Sequence, residues 1–150
     1  LWNTFDFAVP MWKRGGVDAR NMKGLITFDR KTRKDSFYWY KANWSKEPVL
    51  YLTQRRNTER ERKETSVTVY SNLGTPRVYL NGRELEGIRK GYTDVHYVFD
   101  KVTLAEGRNV LKAVITSDGK EYTDEIVWNY NGDRVRQADS YEHKKEHAGW

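Results

Sequence analysis

Three groups of residues in this 150-residue chain have the types and spacing that chemistry asks for. His143-Lys144-Lys145-Glu146-His147 spells H-x-x-E-H, in which two imidazoles one helical turn apart hold zinc and the glutamate serves as base. That chemistry needs a formed helix, a third ligand and a pocket. Its flanks, Asp139–Glu142 and Ala148–Trp150, carry no apolar periodicity, so a solvated charged segment is the better reading and no metal is expected. Asn21-Met22-Lys23-Gly24 could aim an amide and an ammonium at a polar ligand; the plainer alternative is a loop turn with a solvated lysine. Trp2, with Asn3 and Asp6, lies on a strand that leads into a long loop, and in (β/α) barrels the C-terminal strand ends line the active site. An indole there can stack on the apolar face of a sugar, against the plainer alternative of core packing.

Other chemistries leave no trace. The chain holds no Ser-centred elbow, phosphate-cradling glycine loop or EF-hand spelling, and no cofactor motif. It has no cysteine, which excludes disulfides and thiolate metal sites and leaves the compartment open. His96 sits in the alternation of Val95 and Tyr97 and is expected to be an exposed or edge residue rather than a catalyst. Among 21 acidic residues, nothing in the sequence pairs two carboxylates in one pocket. The net charge of +6 permits acidic partners, but Lys and Arg are spread out, and the densest run, Arg55–Lys63, is laced with Glu59 and Glu61. Neither nucleic acid nor membrane is expected as a partner: no recognition module is visible, and no apolar run approaches the roughly 20 residues of a span. Leu1 opens inside an apolar, aromatic stretch without an initiator Met, so the chain is expected to be part of a longer one, and export is not legible.

The elements that would position these residues fall into two styles. Leu1–Val9 alternates aromatics with small or polar residues, as a strand with one buried face does, with Trp2 and Asp6 on one side and Phe5 and Phe7 on the other. Pro10–Gly24 has no period and forms a loop, and Leu25–Phe28 is a short apolar run. Thr32–Trp44 is the one convincing helix, with Thr32 as N-cap, Asp35 completing a capping box, and Phe37, Tyr40, Lys41 and Trp44 on one face that must pack on something. Strand, loop and helix in this order make one βα unit. From Val49 the period becomes two. Strands are expected over Val49–Arg55, Ser66–Ser71, Val78–Leu80, Leu85–Ile88, Val95–Leu104, Val110–Thr116 and Tyr122–Tyr130, with Glu59–Lys63 a charged turn and hairpins at Asn81-Gly82 and Asp118-Gly119. About seven short strands with turn signals every eight to twelve residues argue for an immunoglobulin-like sandwich. The expected layout is a mainly β chain: a strand-loop-helix unit over 1–46, a sandwich over 47–131 and a polar linker or tail over 132–150.

The runs Trp2–Phe7, Asn21–Lys31 and Lys34–Trp44, continued through Tyr51–Arg56, Val67–Gly82 and Val102–Gly107, resemble family 2 glycoside hydrolases, most of all bacterial β-galactosidases. The resemblance covers roughly residues 1–130 and implies a retaining hydrolase of terminal β-glycosidic bonds. It makes Leu1–Phe7 the last strand of a (β/α)8 barrel, Ala8–Gly24 its active-site loop and Thr32–Trp44 its last helix, with Val49–Tyr130 the following immunoglobulin-like domain. Trp2 then matches the aromatic platform of the catalytic subsite, and Asn21 and Lys23 match an Asn-x-Lys pair that meets the sugar carboxylate in related β-glucuronidases and also occurs in galactosidase-like members. The family's acid/base and nucleophile match no residue here, so no catalytic residue is expected in this chain, and it is expected to be inactive alone. Its implied partners are the upstream barrel of the same polypeptide and a carbohydrate substrate. The apolar residues of Leu1–Phe28 could instead fold back on the sandwich, stay mobile or meet a second copy in a homo-oligomer. A stand-alone sandwich gripping polysaccharide through Tyr92, Tyr97 or Tyr122, and an interaction domain using Arg55–Lys63, are the alternatives.

Overall fold

Two sheets face each other across an apolar layer, and a helix closes the outer side of the smaller one. The computed structural model describes residues 3–11 and 17–133. Eleven strands are described: β1 (Phe7–Ala8), β2 (Arg20–Asn21), β3 (Leu50–Leu52), β4 (Glu59–Arg60), β5 (Glu64–Ser71), β6 (Arg77–Leu80), β7 (Arg83–Glu84), β8 (Arg89–Lys90), β9 (His96–Thr103), β10 (Gly107–Ser117) and β11 (Lys120–Tyr130). The larger sheet runs β4-β11-β10-β6-β7 and the smaller β3-β5-β9-β8, while β1 and β2 form a separate ribbon. Alternation sorts the sandwich core. Val67 and Val69 of β5, Tyr97 and Phe99 of β9, Leu111 and Ala113 of β10, and Ile126 and Trp128 of β11 point inward and are buried. This is the mainly β sandwich expected.

The turn residues explain the pairing. Asn81 and Gly82 have φ of 50° and 84°, and Asp118 and Gly119 have 50° and 74°, the left-handed conformations that two-residue hairpins require. The second turn joins β10 and β11 in unbroken antiparallel register from Ser117↔Lys120 to Gly107↔Tyr130. The first turn is tied to its neighbour by amides. Fully buried Asn109 accepts from the Ala105 N–H at 2.8 Å and from the Asn81 side chain at 3.1 Å, and donates to the Ala105 and Gly107 carbonyls. Two expected boundaries shift. The charged stretch at Glu59 is not only a turn, because Glu59–Arg60 pairs in parallel with Asn129–Tyr130. After the β6–β7 hairpin the chain crosses to the smaller sheet, where Arg89–Lys90 pairs with β9.

The helix α1 spans Asp35–Trp44, three residues shorter at its start than the sequence suggests. Lys34 occupies the N-cap and makes no side-chain cap, whereas Thr32 donates its N–H to the Thr27 hydroxyl. Asp35 is not in a capping box. Its carboxylate leaves the helix and accepts from the Tyr51 hydroxyl and the Gln54 N–H, both at 2.7 Å. The packing face is also different. Ala42 and Tyr38 meet Val49, Tyr51, Tyr70 and Val95 on the outer side of the smaller sheet, while Trp44 of the expected face is 69% exposed. Tyr38 stacks on Tyr51 at 3.8 Å, and cross-strand neighbours Tyr51, Tyr70 and His96 extend the aromatic row over three strands. Replacing Asp35 with alanine is expected to cost about 2–4 kcal/mol, because it removes two hydrogen bonds to a charged acceptor and orphans half-buried donors. Hydrogen exchange on this variant should show lost protection in 35–44 with β10 and β11 unchanged; a uniform loss would mean that Asp35 does not specifically hold the helix.

Candidate functional site

The Asn21-Met22-Lys23-Gly24 stretch follows the β1–β2 ribbon, in which Phe7 pairs with Asn21 and Ala8 with Arg20. Beside the ribbon, Phe5 bridges Ile26 in parallel, and Thr4 accepts from the N–H groups of Leu25 and Ile26. The chain thus folds back on itself at Gly24. A Cβ at Gly24 would lie 2.1 Å from the Phe5 carbonyl carbon and 2.2 Å from the Asp6 nitrogen, so only glycine fits this crossing. The strand alternation is inverted relative to an ordinary core. Asp6 is buried, while Phe5 and Phe7 stay about two-fifths exposed, with the Arg30 guanidinium 3.9 Å from the Phe5 ring centroid.

Asp6 is buried with its needs met. One carboxylate oxygen accepts from the Gly24 N–H at 2.9 Å and from the Lys34 ammonium at 2.7 Å. Lys34 also donates to the Met22 carbonyl at 2.8 Å. Asn21, buried to 9% exposure, accepts the Lys23 N–H at 3.0 Å, which closes the turn, whereas the Lys23 side chain is exposed. Of the three sugar-contact candidates, Asn21 and Lys23 are therefore adjacent on one turn, and Trp2 lies outside the described residues. So does the H-x-x-E-H segment His143–His147. Among the described residues no group of three or more His, Asp or Glu side chains could hold a metal, and no helix is long and apolar enough to cross a membrane.

The other half-buried carboxylates serve structure. Asp124 accepts from the Leu52 N–H and from Arg55, whose guanidinium lies 4.0 Å from the Tyr51 ring centroid. Burial, then the Asp35 carboxylate on its hydroxyl, push Tyr51 well above the usual tyrosine range, so it donates at all ordinary pH. Arg60 lies over Trp128 and donates to Gln54 and Thr65, so Arg55 and Arg60 of the expected charge cluster turn toward the sandwich rather than forming an exposed patch. Of the tyrosines considered for polysaccharide, Tyr97 is core, Tyr122 is half-buried under Lys120, and Tyr92 is 94% exposed. His96 is buried, not exposed: its Nδ1 accepts the Tyr92 N–H at 3.1 Å and it packs against Gly91. Burial first, and the Arg89 charge second, hold its pKa below the ordinary 6.5.

The described residues form a β-sandwich joined to a strand-loop-helix unit, with Asn21 and Lys23 on one turn of that unit. Residues 62–123 match the family model described as a domain of unknown function, DUF4982. Over 135 residues the chain is 38% identical to a β-glucuronidase of Bacteroides fragilis, covering 89% of this chain and 19% of the relative. A crystal structure provisionally named β-galactosidase, also from Bacteroides fragilis, superposes with a TM-score of 0.88 at 76% identity over 93% of this chain and 21% of its own. An FMN-binding β-glucuronidase of Faecalibacterium prausnitzii superposes with a TM-score of 0.69 at 45% identity over 86% of this chain and 19% of its own. The chain thus spans about a fifth of the length of the relatives it matches. It is a glycosidase-related segment, homologous to part of larger glycoside hydrolases of the β-glucuronidase and β-galactosidase kind, as the resemblance to family 2 implies.

Two outcomes follow from this geometry. Gly24→Ala should abolish amide protection in 3–9 and 20–27 while the sandwich strands keep theirs; unchanged protection would show that the crossing tolerates a methyl group. Because the native state binds a proton at His96 less readily than the unfolded chain does, stability should be full above about pH 7 and fall as pH drops below about 6.5. His96→Gln, which retains an acceptor, should flatten that part of the curve in urea titrations, and an identical slope would place the effect elsewhere.

Proposed function

We propose that this chain is the accessory end of a retaining exo-glycosidase, and that its Asn21–Lys23 turn binds the acidic group of a terminal β-glucuronide. The observation that carries the reading is Lys23: an exposed ammonium on a turn whose backbone is fixed beside buried Asn21. A cation held in place is what a uronate carboxylate requires, and an ionised pair of this kind forms the stronger hydrogen bonds. The naming of two relatives as β-glucuronidases supports the same substrate class. In this reading residues 1–46 complete the rim of a catalytic barrel, Trp2 stacks on the sugar, 47–131 form the sandwich that buttresses that barrel, and 132–150 form a linker or tail. The acid/base and nucleophile come from the rest of a longer polypeptide, whose barrel is the partner of this segment. A galactoside is the second reading, favoured by the 76% identical chain provisionally named a β-galactosidase; Lys23 would then meet a neutral sugar.

The test is turnover by the longer polypeptide on chromogenic β-glucuronide, β-galactoside and β-mannoside. The glucuronide should be preferred, and Lys23→Met should lower its kcat/KM roughly 10- to 100-fold, the effect of one charge-assisted hydrogen bond of about 1.5–3 kcal/mol. Preference for galactoside with no response to Lys23→Met would transfer the assignment to the second reading. The purified 150-residue chain alone is expected to hydrolyse none of the three; turnover by pure material of the right mass would show that the catalytic carboxylates lie within it.

A further inference from the structure

Among the described residues the Asp6–Lys34 pair bonds within the strand-loop-helix unit, and both side chains are largely withdrawn from water. Asp6 is 3% exposed and Lys34 15%. Removing two charges from water is costly, and such a pair seldom repays its desolvation through stability alone. The atoms it touches show where its effect falls. Lys34 Nζ holds the Met22 carbonyl at 2.8 Å, the residue before Lys23. Asp6 Oδ1 holds the Gly24 N–H at 2.9 Å, the residue after it. The pair itself closes at 2.7 Å across 28 residues of chain. The N–H of Lys23 is taken by Asn21. The backbone on both sides of Lys23 is therefore held by one buried ion pair, and the residue between projects its side chain outward.

We infer that Asp6 and Lys34 are positioning residues: a buried ionic clamp that fixes the Met22–Gly24 backbone so that the Lys23 ammonium is presented at one place, setting selectivity for an acidic sugar. The inference rests on the reading of Lys23 as a uronate contact and adds to it residues that touch no substrate. A flexible lysine on a free turn loses side-chain and backbone freedom when it binds; one whose backbone is already fixed loses less, which favours the charged ligand over a neutral one of the same shape. Lys34 opens the helix whose next residue, Asp35, grips the sandwich through Tyr51 and Gln54. The clamp is thus anchored to the β-sandwich through Asp35, the residue that follows Lys34.

Asp6→Asn is the informative variant, because it keeps the shape and the acceptor for Gly24 N–H while removing the charge that holds Lys34. Two readouts on the longer polypeptide decide the matter. The first is hydrogen exchange of the Lys23 and Gly24 amides, which should accelerate tenfold or more in Asp6→Asn and in Lys34→Met, with β10 and β11 unchanged. No acceleration overturns the clamp whatever Lys23 does. The second is the ratio of kcat/KM for chromogenic β-glucuronide over β-galactoside. It should fall at least tenfold in either variant, and Asp6→Asn should add nothing in a Lys23→Met background, since both act through one ammonium. Lys34→Arg, which retains charge and donors, should restore part of the ratio. Faster exchange with an unchanged ratio, or an equal loss on both sugars, overturns the positioning role while leaving the mechanical one. If Lys23→Met itself leaves the ratio unchanged, the uronate reading has failed, and selectivity through the clamp fails with it.

Discussion

One carboxylate holds the two parts of this chain together. Asp35 sits at the first turn of the only helix described, where a negative charge is favoured by the helix dipole. It spends its oxygens on the sandwich, one on the Tyr51 hydroxyl and one on the Gln54 N–H. The same Tyr51 lies between Tyr38 of the helix and Arg55 of the sandwich, and Arg55 continues to Asp124 at the end of the large hairpin. A helix with few apolar contacts of its own is therefore docked by a directional polar link surrounded by stacked rings. Directional links fix orientation in a way that apolar burial alone does not, and orientation is what the neighbouring Lys34 transmits to the Asn21–Gly24 turn.

The strand-loop-helix unit and the sandwich obey different physics. The sandwich is held by area: alternating apolar residues on long strands bury a continuous layer of Val, Leu, Phe and Trp. The unit has no such layer among the described residues. Its strand turns an aspartate inward and phenylalanines outward, its backbones cross at a glycine with no room for a methyl group, and guanidinium groups lie over Phe5 and Phe28.

What could be seen in the sequence follows the same division. Asn81-Gly82 and Asp118-Gly119 announced their hairpins because only such pairs enter positive φ cheaply, and the inward faces of β5 and β11 were visible as simple alternation. The helix was visible too, but its start and its face were not. Asp35 looks like a cap in sequence and is a tether in space, and the buried contact is made by small Ala42 instead of the bulky Tyr40 and Trp44. Glu59–Arg60 carries no strand signal because its pairing comes from β11, about 70 residues away, whose Asn129 side chain reaches Glu59. His96 seemed exposed because its burial depends on a turn that brings Tyr92 and Gly91 against the ring. The Asn-x-Lys spelling was legible as a turn that could face a ligand; the ion pair beneath it was not, since Asp6 and Lys34 meet only when the chain has folded back.

The lengths of the strands have one further consequence. In both sandwich sheets the long strands are central, and the outermost ones, β4, β7, β3 and β8, are two or three residues each. Such short borders cover only part of the strands inside them: β4 pairs with β11 at Asn129–Tyr130 alone and β8 with β9 at Tyr97–Val98 alone, so among the described residues the rest of each long outer edge has no strand partner. Backbone groups along such an edge are where a strand from another part of a polypeptide adds to a sheet.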